Sequence, residues 1–127
     1  MTPFAEMLTI RETASRTGLT THTLRYYERL GLIVAERSAS GHRRYRSSDI
    51  EWINVLICLR DTGMPIQRMI EFARLVRKGD STIPNRLALL QIHGGDVLAN
   101  IDRYRRYLQV IEQKIRAYST IETSSGQ

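Results

Sequence analysis

The side chains of this sequence best suited to chemistry are arginines, seven of which fall between residues 16 and 46. A guanidinium group is always charged, and its fork of N–H donors matches phosphate oxygens and the edge of guanine. Residues 20–46 read TTHTLRYYERLGLIVAERSASGHRRYR. They predict a helix with an outward face of His22, Arg25, Tyr26 and Arg29, followed by two short segments joined by a Ser/Gly turn. Such a surface indicates binding to phosphates and grooves of a nucleic acid.

Other kinds of chemistry are poorly represented. No nucleophile–base pair, glycine-rich phosphate cradle or carboxylate pair stands out, so we do not expect an enzyme. Cys58 is the single cysteine, which excludes an internal disulfide and argues against a thiolate metal site. His22, His42 and His93 are far apart in sequence. We therefore expect no metal and no cofactor.

The charge of the chain is unevenly distributed. The formal net charge is +6; residues 1–79 hold 13 Lys+Arg against 8 Asp+Glu, and residues 80–127 hold 6 against 5. A basic front and a nearly neutral tail suit a nucleic-acid reader with a separate assembly element. The 127 residues leave no room for an effector domain of ordinary size. With no secretory signal and no long apolar run, we expect a cytoplasmic, nucleoid-associated protein with no membrane contact.

Two short helices are predicted over about residues 9–30. Thr9 and Glu12 fit a capping box, Gly18 ends the first helix, Thr20 caps the second, and Gly31 closes it. This spacing is typical of a helix-turn-helix, in which the second helix is the reader. The residues before Thr9 show no clear pattern and are expected to form a loose arm.

A hairpin wing is predicted over about 32–46, followed by two supporting helices over about 48–63 and 65–78. The first supporting helix opens on a capping box, Ser48 to Glu51, and is apolar nearly all round. It should therefore lie in the interior, with Trp52 as a packing residue. Residues 1–79 are thus expected to form one DNA-binding domain.

A dimerisation helix is predicted over residues 80–121, with residues 122–127 as a disordered tail. Apolar residues recur at steps of four and three, which is typical of a coiled-coil seam. At about 1.5 Å per residue this helix is roughly 54 Å long, and one chain offers nothing of equal length to cover it. We therefore expect a homodimer, although Gly94 and Gly95 weaken the helix. The expected interface residues are Leu87, Leu90, Val97, Ile101, Tyr104, Leu108, Ile111 and Ile115.

The motifs T-L-R-Y-Y-E-R-L-G-L and G-H-R-R-Y resemble those of the MerR family of bacterial transcription regulators. The resemblance implies a mainly α fold, with a winged helix-turn-helix domain followed by a long antiparallel coiled-coil dimerisation helix. It also implies a regulator that binds a pseudo-palindromic promoter operator in double-stranded DNA and shares the promoter with RNA polymerase. In this family the induced form distorts the promoter, at a cost of a few kcal/mol, until the polymerase can use it.

The predicted DNA-binding residues belong to the two short helices and the wing. If Arg25, Arg37, Arg43, Arg44 and Arg46 each met a phosphate in both copies of a dimer, about ten neutralised charges would give a slope of log K against log salt of roughly −9. The full set is Arg16, Thr20, Thr21, His22, Thr23, Arg25, Tyr26, Tyr27, Arg37, Gly41, His42, Arg43, Arg44 and Tyr45.

Cys58 is the candidate sensing residue. The segment from Cys58 to Pro65 resembles a MerR branch that responds to aldehydes, other electrophiles and nitrosative stress. Reaction requires a thiolate with access to the electrophile. Three alternatives remain open: Cys58 as an inert buried residue, a non-covalent small-molecule ligand near Tyr104, Tyr107 and Tyr118, and an architectural DNA binder without an inducer.

Overall fold

The computed structural model describes residues 7–126, and the chain divides into two compact units between Leu89 and Leu90. The mainly α fold, with a helix-turn-helix, a small wing and a long C-terminal helix, is confirmed. Residues 1–6 of the expected arm lie outside the described residues. The elements are α1 Ile10–Thr17, α2 Thr21–Arg29, β1 Glu36–Arg37, β2 Arg43–Arg44, α3 Ser47–Asp61, α4 Ile66–Lys78, a 3-10 helix Asp80–Thr82 and α5 Ile83–Ser125.

The helix-turn-helix is defined by its caps. The predicted capping box is confirmed: the Glu12 amide donates to Thr9 Oγ1, and the Thr9 amide donates to Glu12 Oε1, both at 3.1 Å. Helix α1 ends at Gly18, whose φ of 78° is accessible to glycine without strain. Thr20 then caps α2 by accepting the Thr23 amide at 3.0 Å. Three residues, Gly18 to Thr20, therefore separate the two helices.

The wing is a two-stranded antiparallel hairpin, in which Glu36 pairs with Arg44 and Arg37 with Arg43. Leu8 extends it through an antiparallel bridge to Tyr45, with backbone N···O distances of 2.7 and 2.9 Å. Leu8 is also buried. The expectation of a loose arm is therefore wrong at its last residues, because Leu8 is fixed against the wing.

Helix α3 is less completely buried than its composition suggests. Ile53 and Leu56 are fully buried, whereas Val55 and Cys58 are exposed on another face. The expectation that this helix is apolar and interior on all sides is therefore wrong. The helix also begins earlier than predicted, because Arg46 is the N-cap and donates its amide to Asp49 Oδ2 at 2.7 Å.

The first unit has a core formed by α2, α3, α4 and the segment after α2. Leu24, Leu32 and Met69 are almost fully buried in it. Trp52 stacks on Phe72 with ring centroids 5.7 Å apart, which confirms the prediction that Trp52 is a packing residue.

The turn from α4 into α5 is held by side chains. Thr82 Oγ1 donates to the Leu75 carbonyl oxygen at 2.6 Å, and Arg86 donates to Thr82 Oγ1 at 3.0 Å and to the Gly79 carbonyl oxygen at 2.6 Å. Gly79 has a φ of 96°, which strains any residue with a side chain. Leu89 is buried in the core, so the first compact unit includes the opening turns of α5.

The second unit, from Leu90 onwards, is helical. Helix α5 continues without interruption through Gly94 and Gly95 and on to Ser125. Residues 122–125, expected to be disordered, are therefore helical. Large apolar side chains of the predicted interface are exposed along this unit, namely Leu90, Ile101, Tyr104, Leu108, Ile111 and Ile115.

Candidate nucleic-acid interface

Helix α2 separates its polar and apolar residues by face. Leu24 and Tyr27 are buried in the core, while His22, Arg25 and Tyr26 are exposed. The exposed ring of Tyr26 lies 5.7 Å from the guanidinium carbon of Arg29, which is a cation–π distance. Helix α2 therefore presents a face with donors, positive charge and an aromatic ring.

A cleft of about 370 Å³ lies beside this face. It is formed by the N-terminal end of α1, by α2 and by the wing, which follow one another in the chain. Its lining includes the wing residues Gly41 and His42 and two residues at the start of α1, Thr9 and Ile10. The arginines around it are Arg11, Arg25, Arg37, Arg43 and Arg44.

The cleft is suited to phosphate. Several guanidinium groups converge on one concave surface, and the N-terminal end of a helix carries the positive end of its dipole. Sequence reasoning missed Thr9 and Arg11 as members of the site. The signal was present, because the Thr9 capping box marks a helix N-terminus and Arg11 lies in its first turn.

The wing is tied to α2 by Glu28. Its carboxylate accepts a hydrogen bond from Arg37 Nη2 at 3.2 Å and a second, shorter one from Arg43 Nε. Arg37 Nη1 also donates to the Gly41 carbonyl oxygen at 3.2 Å. Sequence reasoning missed Glu28 as well. A possible signal was a carboxylate in the last turn of a helix, where the dipole disfavours negative charge.

The tip of the wing has its own hydrogen bonds. Ser40 Oγ and His42 Nδ1 are 3.0 Å apart, and the His42 amide donates to Ser38 Oγ at 3.3 Å. Arg46 forms an ion pair with Glu36 across the hairpin. The tip is therefore ordered by its own residues, with His42 exposed.

Tyr27 and Tyr45, two predicted contact residues, lie in the core. Tyr27 is 4% exposed and Tyr45 is fully buried. Burial, followed by the charge of Glu28, raises the pKa of Tyr45 above its usual value. No partner for the buried Tyr45 hydroxyl is found among the described residues. A buried ring offers no surface to DNA, so both tyrosines are corrected from contact residues to packing residues.

The remaining predicted contact residues lie on α1, α2 or the turn before it. Arg16 and Thr20 are exposed, and Thr21 and Thr23 are partly exposed. The hydroxyl of Thr20 donates to that of Thr23 at 2.9 Å. These two threonines therefore also serve to cap α2.

Cys58 is a free, exposed cysteine on α3. The idea that it is buried in the core of its own chain is wrong. Its backbone carbonyl oxygen accepts the Thr62 hydroxyl at 2.7 Å, one helical turn later. The exposed Asn54 and Val55 precede it on the same face. Its thiol is thus open to reagents from solvent.

Residues 7–126 contain no group of three or more His, Cys, Asp or Glu side chains that could hold a metal ion. None of the described helices is both long enough and apolar enough to span a membrane.

Comparison with known proteins identifies the family. Residues 8–75 match the model of the "MerR HTH family regulatory protein". The chain is 34% identical over 111 residues to an uncharacterised HTH-type transcriptional regulator of Haemophilus influenzae, covering 87% of this chain and 82% of that protein. It is 43% identical over 84 residues to the regulator AdhR of Bacillus subtilis, covering 65% of this chain and 60% of AdhR.

Solved structures agree with this assignment. The chain superimposes with a TM-score of 0.86 on HiNmlR, a MerR family regulator lacking the sensor domain and bound to promoter DNA, at 32% identity over 92% of this chain and 94% of that one. A putative MerR family regulator from Listeria monocytogenes gives a TM-score of 0.84 at 33% identity, over 89% of this chain and 86% of that one. These relatives are transcription regulators and not enzymes. The chain belongs to the MerR family of DNA-binding transcription regulators.

Proposed function

We propose that two copies of this chain bind a pseudo-palindromic promoter operator, one copy per half-site. The observation that carries this proposal is the cleft in which arginines of α1, α2 and the wing converge beside the exposed face of α2. A groove-reading helix flanked by phosphate-binding cations has the organisation of a winged helix-turn-helix reader. HiNmlR, whose solved structure is bound to promoter DNA, supports DNA binding by this chain.

The proposed dimer interface is the apolar stripe of α5. Ile101 is 41% exposed and Leu108 is 51% exposed, in a row of similar residues. Water contact along such a row is unfavourable, at about 25 cal/mol per Å² of apolar surface, and a second copy of the helix removes it. A two-fold dimer then requires an inverted repeat in its operator.

We further propose that the bound dimer activates transcription by distorting the promoter, so that RNA polymerase engages both promoter elements. Bending or untwisting a site of 20–30 base pairs costs on the order of 1–6 kcal/mol. Phosphate contacts from both copies can supply this energy, because each arginine cleft holds the DNA backbone at a fixed position relative to its α2.

Selection of bound duplexes from a random pool tests the DNA-binding proposal. We expect an inverted repeat. The three cleft arginines that do not pair with Glu28, namely Arg11, Arg25 and Arg44, can meet about six phosphates in a dimer, so fluorescence anisotropy on that repeat should give a log K versus log salt slope of roughly −5. Arg25→Ala removes a cleft arginine from each copy and should reduce the slope by about 2. Arg68→Ala, on the exposed surface of α4 outside the cleft, is the matched control and should leave the slope unchanged. A slope near zero for the wild type would contradict the proposal.

For the inducing signal, we propose a reactive electrophile that modifies Cys58. With an aldehyde, the sulfur forms a bond to the carbonyl carbon and the thiol proton ends on the carbonyl oxygen. The exposure of this thiol and the resemblance of its segment to the aldehyde-responsive branch support the choice. Cys58 lies on α3, which packs against both the helix-turn-helix and α4. A modified Cys58 can therefore act on the reader through α3.

Transcription in vitro tests the signal, on a template carrying the selected repeat between its promoter elements. We expect aldehydes or nitrosothiols to raise transcript yield with wild-type protein and to lose this effect with Cys58→Ser, while Cys58→Ser still binds the operator. Full induction of Cys58→Ser by an aldehyde contradicts the covalent mechanism and favours a non-covalent ligand. Operator binding with no response to any inducer favours an architectural role.

A further inference from the structure

We propose that Glu28 is the specificity-determining residue of the interface, because it positions the wing on α2 and withholds wing arginines from DNA phosphates. The inference rests on the proposed binding of a specific operator. It concerns how the protein distinguishes that operator from other DNA, and it assigns a role to a residue that touches no base itself.

The contacts of Glu28 join two elements that read DNA together. Arg37 and Arg43 lie opposite each other on β1 and β2, and both donate to the Glu28 carboxylate. The side chains of Glu28 and Arg43 are only 20% and 23% exposed, so their ion pair is less screened than a surface pair. One carboxylate therefore fixes both strands of the wing to the reader helix.

Glu28 is stabilised by its contacts with the wing and not by its place in α2. Glu28 is the penultimate residue of α2. A negative side chain in the last turn of a helix is unfavourable by a few tenths of a kcal/mol, because the carbonyl end of the dipole is also negative. The two arginines provide the compensating interaction. Glu28 thus slightly destabilises α2, and its ion pairs with the wing arginines offset this effect.

Engagement with Glu28 limits what the arginines can do on DNA. Arg37 uses Nη2 for Glu28 and Nη1 for the Gly41 carbonyl oxygen. It serves as a strap within the protein, although sequence analysis predicted a direct DNA contact. Phosphate binding by guanidinium groups is independent of sequence and sets the level of non-specific affinity. By pairing with two arginines, Glu28 lowers the non-specific affinity for DNA. The same contacts keep the wing in a fixed position on α2.

Glu36 provides a matched control. It also lies on the wing and pairs with an arginine, Arg46, but this pair stays within the hairpin and its neighbourhood. The side chains of that pair are 43% and 42% exposed. Glu28→Gln and Glu36→Gln therefore make the same change in net charge, and only the first loosens the wing from α2.

The experiment measures dissociation constants for the selected operator and for a scrambled duplex, over a series of KCl concentrations. For Glu28→Gln we expect tighter binding to scrambled DNA and a salt slope steeper by about 1–2 per chain. The ratio of the dissociation constant for scrambled DNA to that for the operator, which measures specificity, should fall roughly tenfold. For Glu36→Gln we expect a change in the ratio of less than about twofold. Thermal melting by circular dichroism checks that each variant is folded.

Equal effects of the two substitutions would overturn the inference, since net charge alone would then be responsible. An unchanged ratio in Glu28→Gln with parallel losses of both affinities would also overturn it. If Glu28→Gln does not fold, Arg37→Gln replaces it: a strap predicts a fall in the ratio, whereas a simple phosphate contact predicts equal losses on both duplexes. A wild-type protein that does not distinguish the duplexes refutes the proposed function itself, which separates the two failures.

Discussion

The indole Nε1–H of Trp52 donates a hydrogen bond to the Leu32 carbonyl oxygen at 2.8 Å. This contact joins α3 to the segment that follows the reader helix, twenty residues earlier in the chain. Leu32 is itself buried, so its carbonyl group depends on a protein donor. Trp52 therefore has a polar role in addition to its stacking on Phe72.

Trp52→Phe keeps an aromatic ring against Phe72 and removes the donor. We expect a loss of about 1–3 kcal/mol in the free energy of unfolding, because a buried carbonyl is left without its partner. Urea denaturation of the two proteins measures it. A difference within a few tenths of a kcal/mol would show that the hydrogen bond is dispensable.

Tyr45→Phe, unlike Trp52→Phe, should not lower the free energy of unfolding. The Tyr45 hydroxyl is buried, and no partner for it is found among the described residues, so its removal costs no hydrogen bond there. We expect the free energy of unfolding to stay the same or to rise by up to about 1 kcal/mol. The measurement is again urea denaturation. A marked loss of stability would contradict the burial of an unpaired hydroxyl.

Leu108→Glu places a charge in the apolar stripe of α5. If α5 pairs with a second copy, two buried carboxylates per dimer should abolish pairing at micromolar concentration. Sedimentation equilibrium measures the mass, and operator affinity should fall with it. Gln113→Glu adds the same charge off the predicted seam and should leave the dimer intact. A dimeric Leu108→Glu protein would refute this interface.

The capping box of α1 should make part of the stability pH-dependent. Hydrogen bonds from Thr9 lower the pKa of Glu12 below its usual 4.5. Because the folded-state pKa is the lower one, the contribution is complete above about 4.5 and is lost as the pH falls through the folded value. Glu12→Gln should therefore lose more stability relative to wild type at pH 6 than at pH 3, as measured by denaturation at both values. An equal difference at the two pH values would contradict the assignment.

Local signals in the sequence were sufficient for the elements of the fold. Thr9 with Glu12, Gly18 and Thr20 mark helix ends by chemistry that acts over a few residues, and all three features are present. The wing was predicted at about the right place, although only short strands form. Its attachment through Leu8 was missed, because an isolated bridge to a distant residue leaves no periodic pattern.

The site was less accessible to prediction because it depends on contacts between distant residues. Arg11 joins the cleft only because α1 folds beside the wing. The role of Glu28 depends in the same way on its hydrogen bonds with Arg37 and Arg43 of the wing, and the buried Tyr45 pairs with Leu8, which is distant in sequence. The exposure of Cys58 depends on which face of α3 meets the core, and an almost uniformly apolar helix does not reveal that face.

The corner formed by Gly79, Thr82 and Arg86 has a mechanical consequence. Hydrogen bonds from Thr82 and Arg86 close it on both sides, so it is a poor hinge. A rigid connection between two helices transmits a rotation of one helix to the other. A rotation of α4 should therefore also rotate the opening turns of α5.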